Sequence, residues 1–218
     1  MPAPANLHYP INHDPEPIRL FKSDFLEFFT HITPLAIVII WLPVILASLL
    51  LAIIAQSRLG RLQIVLLGFL AGLFVWSFSE YILHRFVFHF RPHSARQERI
   101  VFLFHGVHHA QPDCKTRLVM PPVVSIPLAL GFFFLFQFFV GNLLGGPGWV
   151  YPLFAGFGSG YLIYDLTHYA THHLRMQGRM LKYLKRHHML HHYKTPDARY
   201  GVSSPLWDVV FKTLPTAE

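Results

Sequence analysis

Charge and cysteine are what this chain has little of. Only 13% of its 218 residues are charged, while 53% are hydrophobic; soluble domains carry about 25% charge. That balance excludes an ordinary water-soluble domain and points to a bilayer. One cysteine, Cys114, excludes an intramolecular disulfide and a cysteine-based zinc site. Acidic residues are also scarce, 11 against 18 Lys and Arg, for a formal charge of +7. The basic residues lie beside long apolar runs, so anionic lipid headgroups account for them more simply than nucleic acid does. The first 33 residues have no basic start followed by a short apolar stretch, so they do not read as a signal peptide.

What is there in quantity is apolar sequence. Four stretches, 34–56, 62–83, 123–144 and 149–169, have the length to cross a ~30 Å hydrocarbon core as helices. Ser57-Arg-Leu-Gly-Arg61 joins the first pair and Gly145-Gly-Pro-Gly148 the second. Links this short make antiparallel neighbours. The expected fold is therefore an all-α integral membrane protein of four transmembrane helices in two hairpins. Residues 1–33 form an N-terminal segment, 34–214 the membrane-embedded domain and 215–218 a tail. Of the 18 Lys and Arg residues, only Arg58 and Arg61 fall on the short-turn side, which puts the termini and the 84–122 connection in the cytoplasm. Ile18, Phe21, Phe25, Phe28, Phe29 and Ile32 recur at helical spacing, as do Met180, Leu181 and Leu184 among basic residues. Both segments are expected to form amphipathic helices at the interface.

Sixteen histidines remain to be explained. Eleven fall into four clusters, His84/His89, His105/His108/His109, His168/His172/His173 and His188/His191/His192. Spacings of three and four residues put rings on one helix face, and neutral imidazole is the commonest transition-metal ligand. So many rings exceed the needs of one ion, and two metal ions in a cytoplasmic cap are expected. His105 with His108 or His109 would point at one metal, and His188 with His191 and His192 would repeat that arrangement. His84 and His89 are five apart, about 140° around an ideal helix. They serve different metals or the helix is distorted between them. His8, His13, His31 and His93 read as ordinary hydrogen-bonding side chains. All-imidazole ligation suits Fe, Zn, Cu or Ni, and spacing does not choose among them. A site beside apolar segments suits oxygen chemistry on a lipid chain better than hydrolysis, because it supplies little water.

Five segments appear in order: EYILHRFVFH (80–89), FHGVHHAQPDCKTRLVMPP (104–122), GYLIYDLTHYATHH (160–173), LKRHHMLHHYK (184–194) and YGVSSPLWDVVFKTL (200–214). In these the chain resembles the fatty acid hydroxylase/sterol desaturase superfamily, most closely the fatty acid 2-hydroxylases, from about Phe25 to Leu214. The resemblance implies O2-dependent hydroxylation of a long acyl chain at C2 by a di-iron centre, with zinc as an alternative occupant in purified protein. The implied ligands are His84, His89, His105, His108, His109, His168, His172, His188, His191 and His192. His173, His187 and Asp165 are candidate supports that orient ligand rings, with no catalytic residue beyond the ligands. Asp113 and Asp208 read as turn or packing residues, Tyr161 and Tyr164 as candidate channel residues, and Phe132–Phe139 as lipid-facing or packing. Eukaryotic 2-hydroxylases resemble a fusion with a cytochrome b5 domain carrying an HPGG motif, which these residues lack. An external donor, cytochrome b5- or ferredoxin-like, is therefore expected on the cytoplasmic face, and a bacterial inner membrane is favoured over endoplasmic reticulum. A sterol or carotenoid oxidase of the same superfamily, and a non-catalytic metal-binding membrane protein, are the competing readings.

Overall fold

A computed structural model describes residues 9–14, 16–55 and 61–215. His8, residues 57–60 of the expected first turn, and most of the C-terminal tail lie outside the described residues. Those described form nine α-helices: α1 Asp24–Phe28, α2 Pro34–Ala55, α3 Arg61–Ile82, α4 Ala95–Val101, α5 Val107–Ala110, α6 Pro122–Phe136, α7 Pro147–His173, α8 Arg179–Tyr193 and α9 Leu206–Val210. Wider π-helical turns, with i→i+5 hydrogen bonding, extend three of these runs at Leu83–Phe88, Phe102–Gly106 and Gln137–Leu143. The chain divides into two compact units. One comprises Ile32–Phe78 and Val119–Leu166, the other Met1–His31, Ser79–Leu118 and Thr167–Glu218.

Within the first unit the helices pack around α7. Its run from Pro152 to Gly158 is continuously buried, and aromatic rings reach it from each of the other helices. Trp41 of α2 meets Tyr161 at 5.2 Å between ring centroids, Trp76 of α3 meets Phe157 at 5.1 Å, and Phe132 of α6 meets Phe157 at 4.4 Å. A helix enclosed on all sides needs small residues where backbones approach. A Cβ added at Gly156 would lie 2.0 Å from the Phe69 carbonyl oxygen, and one at Gly72 would lie 2.1 Å from that of Leu153.

That packing bears on the expectation of four spans. Among the described residues three helical runs, Pro34–Ala55, Leu62–Phe88 and Pro122–Leu143, are long and apolar enough to cross a membrane. The fourth expected span is a helix of 27 residues, but Gly156, Gly158, Ser159 and Gly160 dilute its hydropathy, because it faces protein rather than lipid. Trp41 and Trp76 are buried in this packing. In the Phe132–Phe139 run, Phe132, Phe133 and Phe136 pack against α7 while Phe134, Phe138 and Phe139 are exposed.

Gly156→Ala drives a methyl group into a backbone carbonyl that cannot rotate away. Overpacking costs about 1–3 kcal/mol in ordinary cores, and a loss of about 3 kcal/mol or more is expected here. Thermal unfolding in detergent checks this, with Gly131→Ala, which meets nothing within 4 Å, expected to be neutral.

The second unit departs from expectation at its N-terminal end. The amphipathic helix expected over Ile18–Ile32 shrinks to the five residues of α1. Glu27 turns back to accept the N–H groups of Leu20 and Phe21 at 3.0 and 2.8 Å, which ends any helix before Ser23. The buried Arg117 guanidinium donates to Glu27 and to the Ile18 carbonyl. Gln111 donates to the carbonyls of Asp14 and Glu16 and accepts from Ile18 N. The QPDCKTR segment thus straps the N-terminal chain down. Asp113 takes part only at the surface, paired with exposed His13 at 3.0 Å.

Candidate metal centre

The second unit carries all ten histidines expected as ligands, and it sorts them into two groups of five. His84, His89, His105, His109 and His191 bring one ring nitrogen each to within 4.8 Å of one another; so do His108, His168, His172, His188 and His192. The groups adjoin: the rings of His109 and His192 stack at 4.1 Å between centroids.

The local backbone explains this sorting and corrects the helical-spacing expectation. His84 and His89 share one group because the helix widens between them. The π turn over Leu83–Phe88 closes with His89 N–H donating to the His84 carbonyl at 3.1 Å, which brings residues five apart onto one side. The three-residue clusters do not each point at one site. His105 and His109, four apart, face the first group while His108 between them faces the second. On α8, His188 and His192 face the second group and His191 the first. The four-apart pairs His105/His109, His168/His172 and His188/His192 each share a group as their spacing suggests, and it is His108 and His191 that turn to the other one.

The donor chemistry fits metal ions. His84 directs its Nδ1 at the Tyr200 carbonyl, and His191 directs its Nδ1 at the Ala198 carbonyl at 2.7 Å. A carbonyl accepts only, so both Nδ1 atoms carry the proton and both Nε2 atoms present lone pairs. Those lone pairs face other ring nitrogens: His84 Nε2 lies 3.0 Å from His105 Nε2, and His191 Nε2 lies 3.1 Å from His89 Nε2. In the second group His168 and His108 meet at 2.8 Å, and His172 and His188 at 2.9 Å, again Nε2 to Nε2. Nitrogens this close need a proton or a cation between them. Burial and then neighbouring imidazoles push His105, His108, His188, His191 and His192 well below the ordinary histidine range, so these rings stay uncharged and each keeps a lone pair for a cation.

The candidate supports fall in different places. His187 is buried and joins neither group; its Nε2 lies 3.2 Å from Asp208 Oδ2. His173 packs on the Tyr169 ring. Asp165, buried within the first unit, turns both carboxylate oxygens to the Met120 N–H at 3.2 and 3.3 Å. Sequence reasoning missed the carbonyls of Ala198 and Tyr200, which no residue type betrays. It also undervalued Asp208 and passed over Glu80. The signal for Glu80 was available: a carboxylate at the end of an apolar run is costly unless it has work to do.

Residues 69–213, which include all ten histidines, match the fatty acid hydroxylase family. The chain belongs to that family. This hydroxylase is 36% identical over 212 residues to a dihydroceramide fatty acyl 2-hydroxylase of Arabidopsis thaliana, covering 97% of this chain and 86% of that one. It is 34% identical to a fatty acid 2-hydroxylase of Mus musculus, covering 95% of this chain and 59% of that one. Among solved structures it matches full-length scs7p, in which only the hydroxylase domain is visible. That match has a TM-score of 0.79 and 36% identity, and covers 88% of this chain and 70% of that one. The hydroxylase is thus an O2-dependent enzyme of fatty-acid hydroxylation with a histidine-coordinated dimetal site, as its motifs imply. A non-catalytic metal-binding role is set aside.

Proposed function

We propose that the enzyme inserts a hydroxyl at C2 of a long acyl chain, with the ten grouped histidines as the ligands of two iron ions. The observation that carries this reading is the division of ten imidazoles, seven of them buried, into two adjoining sets of five. The relatives add the position, since those from Arabidopsis and mouse are 2-hydroxylases by name. Bound there, a pair of redox-active ions supplies the oxygen activation that an unactivated C–H bond requires. O2, two electrons and two protons yield the alcohol and one water.

The protein's own residues supply position and exclusion. Buried neutral imidazoles hold lone pairs inward and keep protons off the site. Asp165, one helical turn before His168, and His173 beside His172 are further supports in this reading. In the first unit Trp41, Trp76, Leu128, Phe154, Phe157 and Tyr161 line a small pocket, whose apolar walls suit methylene groups. C2 is one carbon from the polar head, so a metal centre at the membrane surface reaches it while the tail stays in apolar surroundings.

The reading includes four spans, α7 being the fourth, with the metal site on the cytoplasmic side. Its support is the placement of 16 of 18 basic residues on that side. A separate donor brings the electrons, and the exposed basic residues Arg175, Arg179, Lys182 and Arg186 offer an acidic partner a complementary surface. A bacterial inner membrane is the proposed location. Expression with a competent donor, iron and air should yield 2-hydroxy fatty acids by mass spectrometry. Hydroxylation at another carbon overturns the C2 assignment, and absence of any hydroxylated acyl product overturns the reading as a whole.

A further inference from the structure

Two buried carboxylates outside the histidine groups, Glu80 at 4% exposure and Asp208 at 0%, are heavily bonded. Glu80 stands one turn before His84, and Asp208 lies on α9. Between them they grip four consecutive backbone N–H groups. Tyr200 N donates to Asp208 Oδ1 and Gly201 N to Asp208 Oδ2, each at 2.8 Å. Val202 N and Ser203 N donate to Glu80 Oε1 at 2.7 and 2.8 Å. Ser203 Oγ adds a bond to Glu80, Thr213 Oγ1 one to Asp208 at 2.7 Å, and His187 faces Asp208 Oδ2. Burying two carboxylates is costly, and a loop open to water would need neither.

This loop is pinned from both ends and is tight in the middle. Arg199, in a left-handed conformation at φ 61°, donates its N–H to the Thr213 carbonyl at 3.1 Å. A Cβ on Gly201 would sit 2.0 Å from the Ser204 carbonyl oxygen. The carbonyls that the loop presents to imidazoles are those of Ala198 and Tyr200, on His191 and His84. Both histidines belong to the first group of five; among the described contacts no carbonyl of 198–204 meets the second group.

We infer that Glu80 and Asp208 are positioning residues for one of the two metal positions and not for the other. They fix the loop so that its carbonyls keep His84 and His191 protonated at Nδ1 and aimed through Nε2 into that position. This rests on the proposed assignment of the ten ligands. The Asp208–His187 contact also ties the loop to α8, so Glu80→Gln is the cleaner test and Asp208→Asn the coarser one.

Cobalt(II) titration of the purified metal-free chain, with bound metal counted per chain, separates the two positions. Wild type is expected to bind two ions. Glu80→Gln should hold one with unchanged affinity and the other about 10- to 100-fold more weakly, the range for outer-shell substitutions. If Glu80→Gln does not fold, Ser203→Ala, which removes a single bond to Glu80, should weaken the same position by less. Two binding constants that stay as in wild type, or fall together with the melting temperature, reduce the pair to a structural role and overturn the inference. His89→Ala and His172→Ala serve as references, each expected to delete one ion. Should neither change the count, the ligand assignment itself fails, a different result from two working references beside an unaffected Glu80→Gln.

Discussion

His108→Ala is expected to remove hydroxylated product while the chain remains inserted in the membrane. His108 is buried at 4% exposure, its Nε2 lies 2.8 Å from that of His168, and its ring contacts those of His172 and His192. Its removal takes one of five donors from the second group and leaves the first complete. Outer-shell substitutions at metal sites cost about 10- to 100-fold, so a direct donor should cost at least about a hundredfold. Insertion should survive, because the three long apolar helices do not include this residue. The readouts are 2-hydroxy fatty acids by mass spectrometry and the amount of chain in the washed membrane fraction. His93→Ala is the matched control: His93 is exposed and in neither group, and its loss should leave product at the wild-type level. Wild-type product from His108→Ala would remove His108 from the ligands.

Which histidines converge could be read from the sequence; how they divide could be read only in part. Clustering and the ordered motifs picked out the ten that converge, because residue type carries the chemistry. Their partition depends in part on backbone that spacing does not encode. The π turn at Leu83–Phe88 brings His84 and His89 together, where an ideal helix would separate them. The four-residue period holds for His105/His109, His168/His172 and His188/His192, whereas the three-apart His108 and His191 face the other group from His105 and His188, a division set by tertiary packing. Ala198 and Tyr200 act through main-chain carbonyls, which every residue possesses. The apolar runs α2, α3 and α6 were legible because lipid-facing helices are uniformly hydrophobic. Buried by its neighbours, α7 replaces that signal with glycine and serine. The N-terminal helix failed for the opposite reason: its apolar period is present, but Glu27 and Arg117 take the backbone groups a longer helix would need.

Stripping the metal ions should make the hydroxylase sensitive to mild acid. Burial depresses the imidazoles of His105, His108, His188, His191 and His192, so the native state takes up no protons on them near pH 6. In the unfolded chain the same rings titrate near the ordinary value of about 6.5. Below that pH the unfolded state binds more protons, and stability falls as pH falls. Each ring contributes a slope of about 1.4 kcal/mol per pH unit, or about 7 kcal/mol per unit for five. A domain has roughly 5–15 kcal/mol in all, so the metal-free protein should be folded at pH 8 and lose its histidine-bearing unit by about pH 5.5. Loaded protein titrates with the same sign from a higher starting point. At free metal about a thousandfold above Kd, each site adds about 4 kcal/mol, and two sites displace the acid midpoint downward by about one pH unit. Near-ultraviolet circular dichroism against pH, with and without chelator, measures both quantities. A metal-free curve flat from pH 8 to 5.5 would show that the imidazoles are not buried as the fold places them. Coincident curves would show that the two groups do not hold metal in the folded protein.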